Sequence, residues 1–185
     1  MKILQVINSL HIGGAEKLLV DSIPLYKSND IDMELLLLNG TKTPFFCELD
    51  KKGVIIHSFS IGDIRTVYNP FHVFCIIPYL RKYDIIHVHL FPALYWVAIA
   101  KLLSFSKKKL IYTEHNTNNR RIANKGIWSI LDKFIYKQYC QIVSISIEVD
   151  AVIKSHLSFP LDKFKIINNG INLSQFASVS KSNDD

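Results

Sequence analysis

Apolar and polar positions alternate in blocks along this chain, and the blocks change period as they go. Ile3 to Ile7 is apolar with one polar break, Gln5, and has the length of a buried strand. Gly13-Gly14 follows, and Ala15-Glu16-Lys17-Leu18-Leu19-Val20 opens a helical pattern. Ile31 to Leu38 reads as a second strand with Glu34 as its one interior charge. Pro44 to Lys52 reads as a short helix opened by its proline. Val54 to Phe59 reads as a third strand, entered from Gly53, and Ile61 to Asn69 as a loop. From Pro70, the positions Phe71, Phe74, Ile77 and Leu80 form one helical face, with Pro78 placed to kink it.

The second half repeats the scheme. Asp84 to Leu90 is a fourth strand, and Pro92 starts a helix to about Phe105 that is apolar nearly all round and so should be buried. Leu110 to Thr113 is a fifth strand, ending in Glu114-His115-Asn116-Thr117-Asn118-Asn119-Arg120-Arg121. Ile127 to Cys140 is a helix carrying Trp128, Phe134 and Tyr139. Ile142 to Ser146, Glu148 to His156 and Lys165 to Gly170 complete the order as strand, helix and short strand. Strand–helix repeats with apolar strands predict an α/β fold: a Rossmann-like, doubly wound parallel sheet of about six or seven strands, covered on both faces. One domain spans 1–177, and 178–185 is a polar tail or the start of a linker.

In such sheets ligands bind beyond the carboxyl ends of the strands. Gly13, Gly14, His89, His115 and Arg120 are therefore expected to gather at one edge. The two glycines admit positive φ and close approach of another group, and the following helix offers free N–H groups to a phosphate or a sugar hydroxyl. An ordinary tight strand-to-helix turn accounts for the spacing equally well. The dinucleotide fingerprint Gly-x-Gly-x-x-Gly is missing, the second strand ends without an acid for a ribose, and there is no Walker loop. His87 and His89 share a strand face, with Glu114 or His115 as conceivable third metal ligands, but no zinc spacing exists and no metal is expected. His115 leads a polar loop and suits hydrogen bonding to sugar hydroxyls or phosphates. A loop histidine without function remains the alternative.

The net charge of +6 favours anionic partners. It is regional: Lys101 to Lys137 holds nine basic residues against two acids, an excess of +7, which suits phosphates or an anionic lipid surface. Cys47, Cys75 and Cys140 lie far apart, which fits a reducing compartment without structural zinc. There is no signal-peptide pattern, no membrane-length apolar run, no local nucleophile triad and no nucleic-acid module, so nucleic acid is not an expected partner. A cytoplasmic protein, able to touch the inner face of a membrane, is the expectation.

Five motifs carry a resemblance. Gly13-Gly14-Ala15-Glu16-Lys17 resembles the glycine turn of the amino-terminal domain of glycosyltransferase 4-like enzymes, the retaining, nucleotide-sugar-dependent glycosyltransferases of GT-B fold. Asp84-Ile85-Ile86-His87-Val88-His89, Thr113-Glu114-His115, Val143-Ser144-Ile145-Ser146 and Ile166-Ile167-Asn168-Asn169-Gly170-Ile171-Asn172 resemble four further family motifs in the right order. Asn168 and Asn172 depart from the family's usual Pro and Asp. The family's second domain grips the donor with a Glu-x7-Glu motif, and no two glutamates here are eight apart. The resemblance implies the acceptor-side half of a two-domain hexosyltransferase, inactive without its carboxy-terminal GT-B domain. It implies a nucleoside diphosphate sugar as donor and a glycan or glycolipid as acceptor, in polysaccharide, lipopolysaccharide or glycolipid synthesis, with no cofactor. His115 would lie by the transferred sugar as the catalytic residue. Gly13, Gly14, Ala15, Glu16, His89, Glu114, Asn116, Arg120 and Ser146 would bind substrate. A non-catalytic nucleotide- or phosphosugar-binding module is the competing expectation, and a module docked on an anionic membrane is a third.

Overall fold

The computed structural model describes residues 1–27, 29–116 and 127–170. Seven strands form one parallel sheet in the order β3-β2-β1-β4-β5-β6-β7. They are β1 (Lys2–Ile7), β2 (Asp32–Asn39), β3 (Ile56–Ser60), β4 (Ile85–His89), β5 (Lys109–Glu114), β6 (Gln141–Ser144) and β7 (Phe164–Ile166). The described helices are α1 (Gly14–Lys27), α2 (Pro44–Lys51), α3 (His72–Lys82), α4 (Ala93–Leu103), α5 (Ile127–Lys137) and α6 (Ile147–Leu157).

Strand alternation divides the core in two. On one face Ile7, Met33, Leu35 and Leu37 pack with Leu19, Val20 and Ile23 of α1 and Leu49 of α2. On the other, Leu4, Val6, Ile86, Val88, Leu110 and Ile142 pack with residues of α3, α4, α5 and α6. The chain steps outward from β1 to β3 in one direction and from β4 to β7 in the other. Right-handed crossovers must then put the two helix sets on opposite faces. Among the described residues the cover of the α1-side face stops short of β4 to β6. On the α1 side, Ile85, His87, Ile111 and Val143 line an open groove of about 720 Å³.

Element ends differ from the sequence reading for local reasons. The third strand starts at Ile56 rather than Val54, because Gly53 (φ +68°) closes the turn after α2 and the Val54 N–H bonds back to the Leu49 carbonyl. The loop after β3 contains a short 3-10 turn, Ile64–Tyr68, capped by the Asp63 side chain. α3 begins two residues after Pro70 and runs through Pro78. α5 stops at Lys137; the next residues tighten, and Tyr139 turns into the core, where its hydroxyl donates to the Leu94 carbonyl at 2.6 Å. β7 is only three residues long, so Ile167 to Gly170 lie beyond it.

Of the described lysines of the basic region, Lys101 near the end of α4, Lys107 to Lys109 at the entry to β5 and Lys137 at the end of α5 fall at the amino-terminal edge of the sheet, with Lys133 one turn earlier on α5. The glycine turn is at the opposite edge, about 20 Å away for a strand of six residues. These lysines therefore stand apart from the glycine turn. Arg121 and Lys125 lie outside the described residues.

Candidate active-site edge

β1 and β4 are neighbours whose outgoing connections leave in opposite directions, and a crevice opens above such a pair. Asn8 bridges it. Its side-chain amide donates to the Phe91 carbonyl at 2.8 Å and its oxygen accepts from the Ala93 N–H at 3.2 Å. This clamp holds the exit of β4, where Leu90 takes φ +64°, a strained value for a branched side chain.

The glycine turn is built differently from the expectation. Neither Gly13 nor Gly14 adopts positive φ. A Cβ at Gly13 would stand 2.4 Å from the Glu16 carboxylate, while a Cβ at Gly14 would meet nothing within 4 Å. Gly14 thus leaves open space in front of the α1 amino terminus, and close approach is the part of the argument that stands. The Lys17 N–H bonds to the Gly13 carbonyl at 2.9 Å. Among the described residues nothing accepts from the Gly14 and Ala15 N–H groups, which belong to the positive end of the helix dipole. The Ala15 side chain is in the core, so only its backbone is available to a ligand. The Glu16 carboxyl is half-buried; desolvation raises its pKa, against an opposing bond from its own N–H and the charge of His11.

One and two strands away, about 5 and 10 Å across the sheet, the second half of the site ends β4 and β5. His87 hydrogen-bonds the Thr113 hydroxyl at 2.7 Å. His89 is 2% exposed and lies tilted beside His87, 4.3 Å between ring centroids. Its Nε2 lies 2.8 Å from Gln5 Oε1 and its Nδ1 3.1 Å from His115 Nε2. Burial pushes the His87 and His115 rings down to about 4 and the His89 ring well below its ordinary value, so all three are neutral at pH 7. Among the described residues no three His, Cys, Asp or Glu side chains are placed to share a metal ion.

The remaining candidates divide. Glu114 is turned to the opposite face of the sheet. Its carboxylate accepts from the Tyr112 and Tyr136 hydroxyls, each at 3.2 Å, and from the His115 and Asn116 N–H groups. It staples the start of the loop and does not face the cleft. Asn116 is exposed at that edge. Ser146 caps α6, its hydroxyl accepting from the Val149 N–H at 3.3 Å. Arg120 lies outside the described residues. The structure brings together Gly14, Ala15, His89, His115 and Asn116 at one edge. It adds Gln5, Asn8, His87 and Thr113, of which Gln5 is the polar break in the first strand.

A doubly wound parallel sheet with a helix amino terminus and a histidine cluster at its carboxyl edge is a Rossmann-like architecture. The chain belongs to Glycosyltransferase Family 4, whose model matches residues 12–175. Among curated proteins no sequence matches. Solved structures share the fold at low identity. Anabaena HepE in complex with UDP and glucose is 19% identical with a TM-score of 0.74, covering 98% of this chain and 49% of that one. The lipopolysaccharide outer core galactosyltransferase WaaB in its apo form is 14% identical with a TM-score of 0.66, covering 94% and 47%. A glycosyltransferase from Rickettsia africae is 15% identical with a TM-score of 0.67, covering 98% and 46%. The chain therefore spans about half the length of the structures it matches and corresponds to the amino-terminal half of a GT-B glycosyltransferase.

Proposed function

We propose that this domain forms the acceptor-side wall of a retaining glycosyltransferase that moves a hexose from a nucleoside diphosphate sugar to a hydroxyl of a glycan or glycolipid, in polysaccharide, lipopolysaccharide or glycolipid synthesis. The observation that carries the reading is the pairing, at one sheet edge, of uncommitted Gly14 and Ala15 N–H groups with a neutral His115. The amide groups suit the charge that grows on a leaving diphosphate. His115 suits a sugar hydroxyl, since a neutral imidazole hydrogen-bonds without competing for the phosphate. HepE complexes with UDP and with UDP-glucose support a nucleotide sugar as the ligand class. No cofactor enters the proposal.

Catalysis in a cleft between two domains needs both walls to position donor and acceptor. Residues 1–185 alone are proposed to be inactive, with the donor gripped by a carboxy-terminal GT-B domain. The test is nucleotide release from a panel of nucleoside diphosphate sugars. It compares the 185-residue chain with a form that also carries such a domain. Turnover by the longer form alone supports the reading. Sustained transfer by residues 1–185 refutes the need for a second wall, and a longer form that binds nucleotide sugars without turnover leaves a binding module instead.

The proposal includes peripheral contact with an anionic membrane from the cytoplasmic side. At the end of α4 Leu103 is 53% exposed, and just beyond it Phe105 is 91% exposed, beside Lys107, Lys108 and Lys109 in sequence. An apolar tip flanked by cations matches an anionic bilayer surface. Among the described residues no helix is long and apolar enough to cross a membrane.

A further inference from the structure

The buried hydrogen bonds around His115 form a chain whose proton positions are set at its far end. Gln5 is 4% exposed on β1, a central strand. Its Nε2 faces the Met33 sulfur at 3.5 Å, and its Oε1 faces His89 Nε2 at 2.8 Å. A thioether has no proton to give, so the amide's donor end belongs there and its oxygen toward the histidine. An amide oxygen only accepts. His89 Nε2 therefore carries the proton of its neutral ring, and His89 Nδ1 is bare. A bare Nδ1 at 3.1 Å from His115 Nε2 must accept from it. His115 then holds its single proton on Nε2 and presents Nδ1 as an acceptor.

We propose that Gln5 is the positioning residue of this site: through His89 it fixes His115 as the Nε2–H tautomer, leaving Nδ1 to accept from a substrate hydroxyl. The idea rests on the proposed role of His115 at the transferred sugar. It adds that the group recognised must donate a proton, as a sugar hydroxyl does and a phosphate oxygen or carbonyl does not. No bond is made or broken in this step; one tautomer is selected among two.

The selection can be reversed by adding one proton to the chain. In Gln5→Glu, a carboxyl group replaces the amide at similar size. At pH 6 the added proton sits on the carboxyl or on His89, since an ionised carboxylate this deeply buried is stabilised by charging its partner. In either state His89 Nδ1 carries a proton, so His115 Nε2 must accept and Nδ1 must become the donor. The test is ring-nitrogen NMR of the ¹⁵N-histidine-labelled 185-residue chain, in which each tautomer has its own pattern of nitrogen shifts. The expected result is Nε2–H at both His89 and His115 in the native protein at pH 7, and Nδ1–H at His115 in Gln5→Glu at pH 6. Nδ1–H at His115 in the native protein overturns the inference without any variant being needed. A folded Gln5→Glu with His115 unchanged also overturns it. The reading of His115 as a sugar ligand fails separately, if a folded His115→Ala form of the two-domain enzyme keeps full turnover while the NMR result stands.

Discussion

His115 is half-buried and bonded to His89, so its removal has two separable consequences. His115→Ala leaves the buried His89 Nδ1 without its donor, which should cost about 1 kcal/mol of stability. If the ring also meets the transferring sugar, turnover of the two-domain enzyme should fall roughly tenfold or more, about 1.4 kcal/mol of barrier. Thermal melting and steady-state rates on the same variant check both. Gly14→Ala separates them the other way. Its Cβ would meet nothing in the protein, so the melting temperature should hold while nucleotide affinity falls. Isothermal titration with UDP reads the second quantity, and unchanged affinity would remove Gly14 from the site. The three depressed histidines also set a pH dependence. Their rings accept protons in the unfolded chain from about pH 6.5, but in the fold His87 and His115 do so only near 4. Between those values the unfolded state holds more protons, so stability should fall as pH drops through the window and stay level above it. Urea midpoints at pH 7 and pH 5 measure the fall, and His87→Gln should lessen it by its own share.

At the scale of the element, the strand and helix order could be read from the chain because each block has one period and a clear stop. The glycine turn was legible as a place but not as a conformation, since spacing gives no φ and cannot reveal that Glu16 fills the position of a Gly13 side chain. Glu114 and Ser146 were legible as strand-end polar residues, whereas which face each meets depends on a register that only pairing fixes. Gln5 was visible as a polar break, and its partners 28 and 84 residues away were not. Phe105 is the element-scale oddity. It occupies the position after α4 that favours glycine, with φ +50° and the Ser106 N–H bonded back to the Lys101 carbonyl. A left-handed aromatic side chain in solvent gives up about 1–2 kcal/mol locally. Phe105→Gly should therefore raise the melting temperature while weakening binding to anionic vesicles, measured by sedimentation. Equal vesicle binding by the variant would rule out this loop as the membrane contact.

For the whole molecule, the uneven cover that the described helices give the sheet follows from crossover handedness and strand order together. It makes equivalent strand positions unequal. Ile111 borders the open groove, and Tyr112, one residue on, is 1% exposed against Tyr136 and Tyr139. Ile111→Thr should cost about 1 kcal/mol, and Tyr112→Thr about 3–5 kcal/mol, by urea denaturation. The strand order has a kinetic side as well. Every other neighbouring pair of strands closes a loop of roughly 20 to 30 residues, and longer loops cost more chain entropy to close. β1 meets β4 only across 82 residues, as the bond from the Lys2 N–H to Asp84 measures. Two blocks, β1 to β3 and β4 to β7, should therefore form first and join along that seam. Gln5 and His89 stand on opposite sides of it, and Asn8 ties across it to Phe91. The site should thus be assembled when the two blocks join, and a nascent chain holding only the first block would have its glycine turn but neither His89 nor His115 to face it.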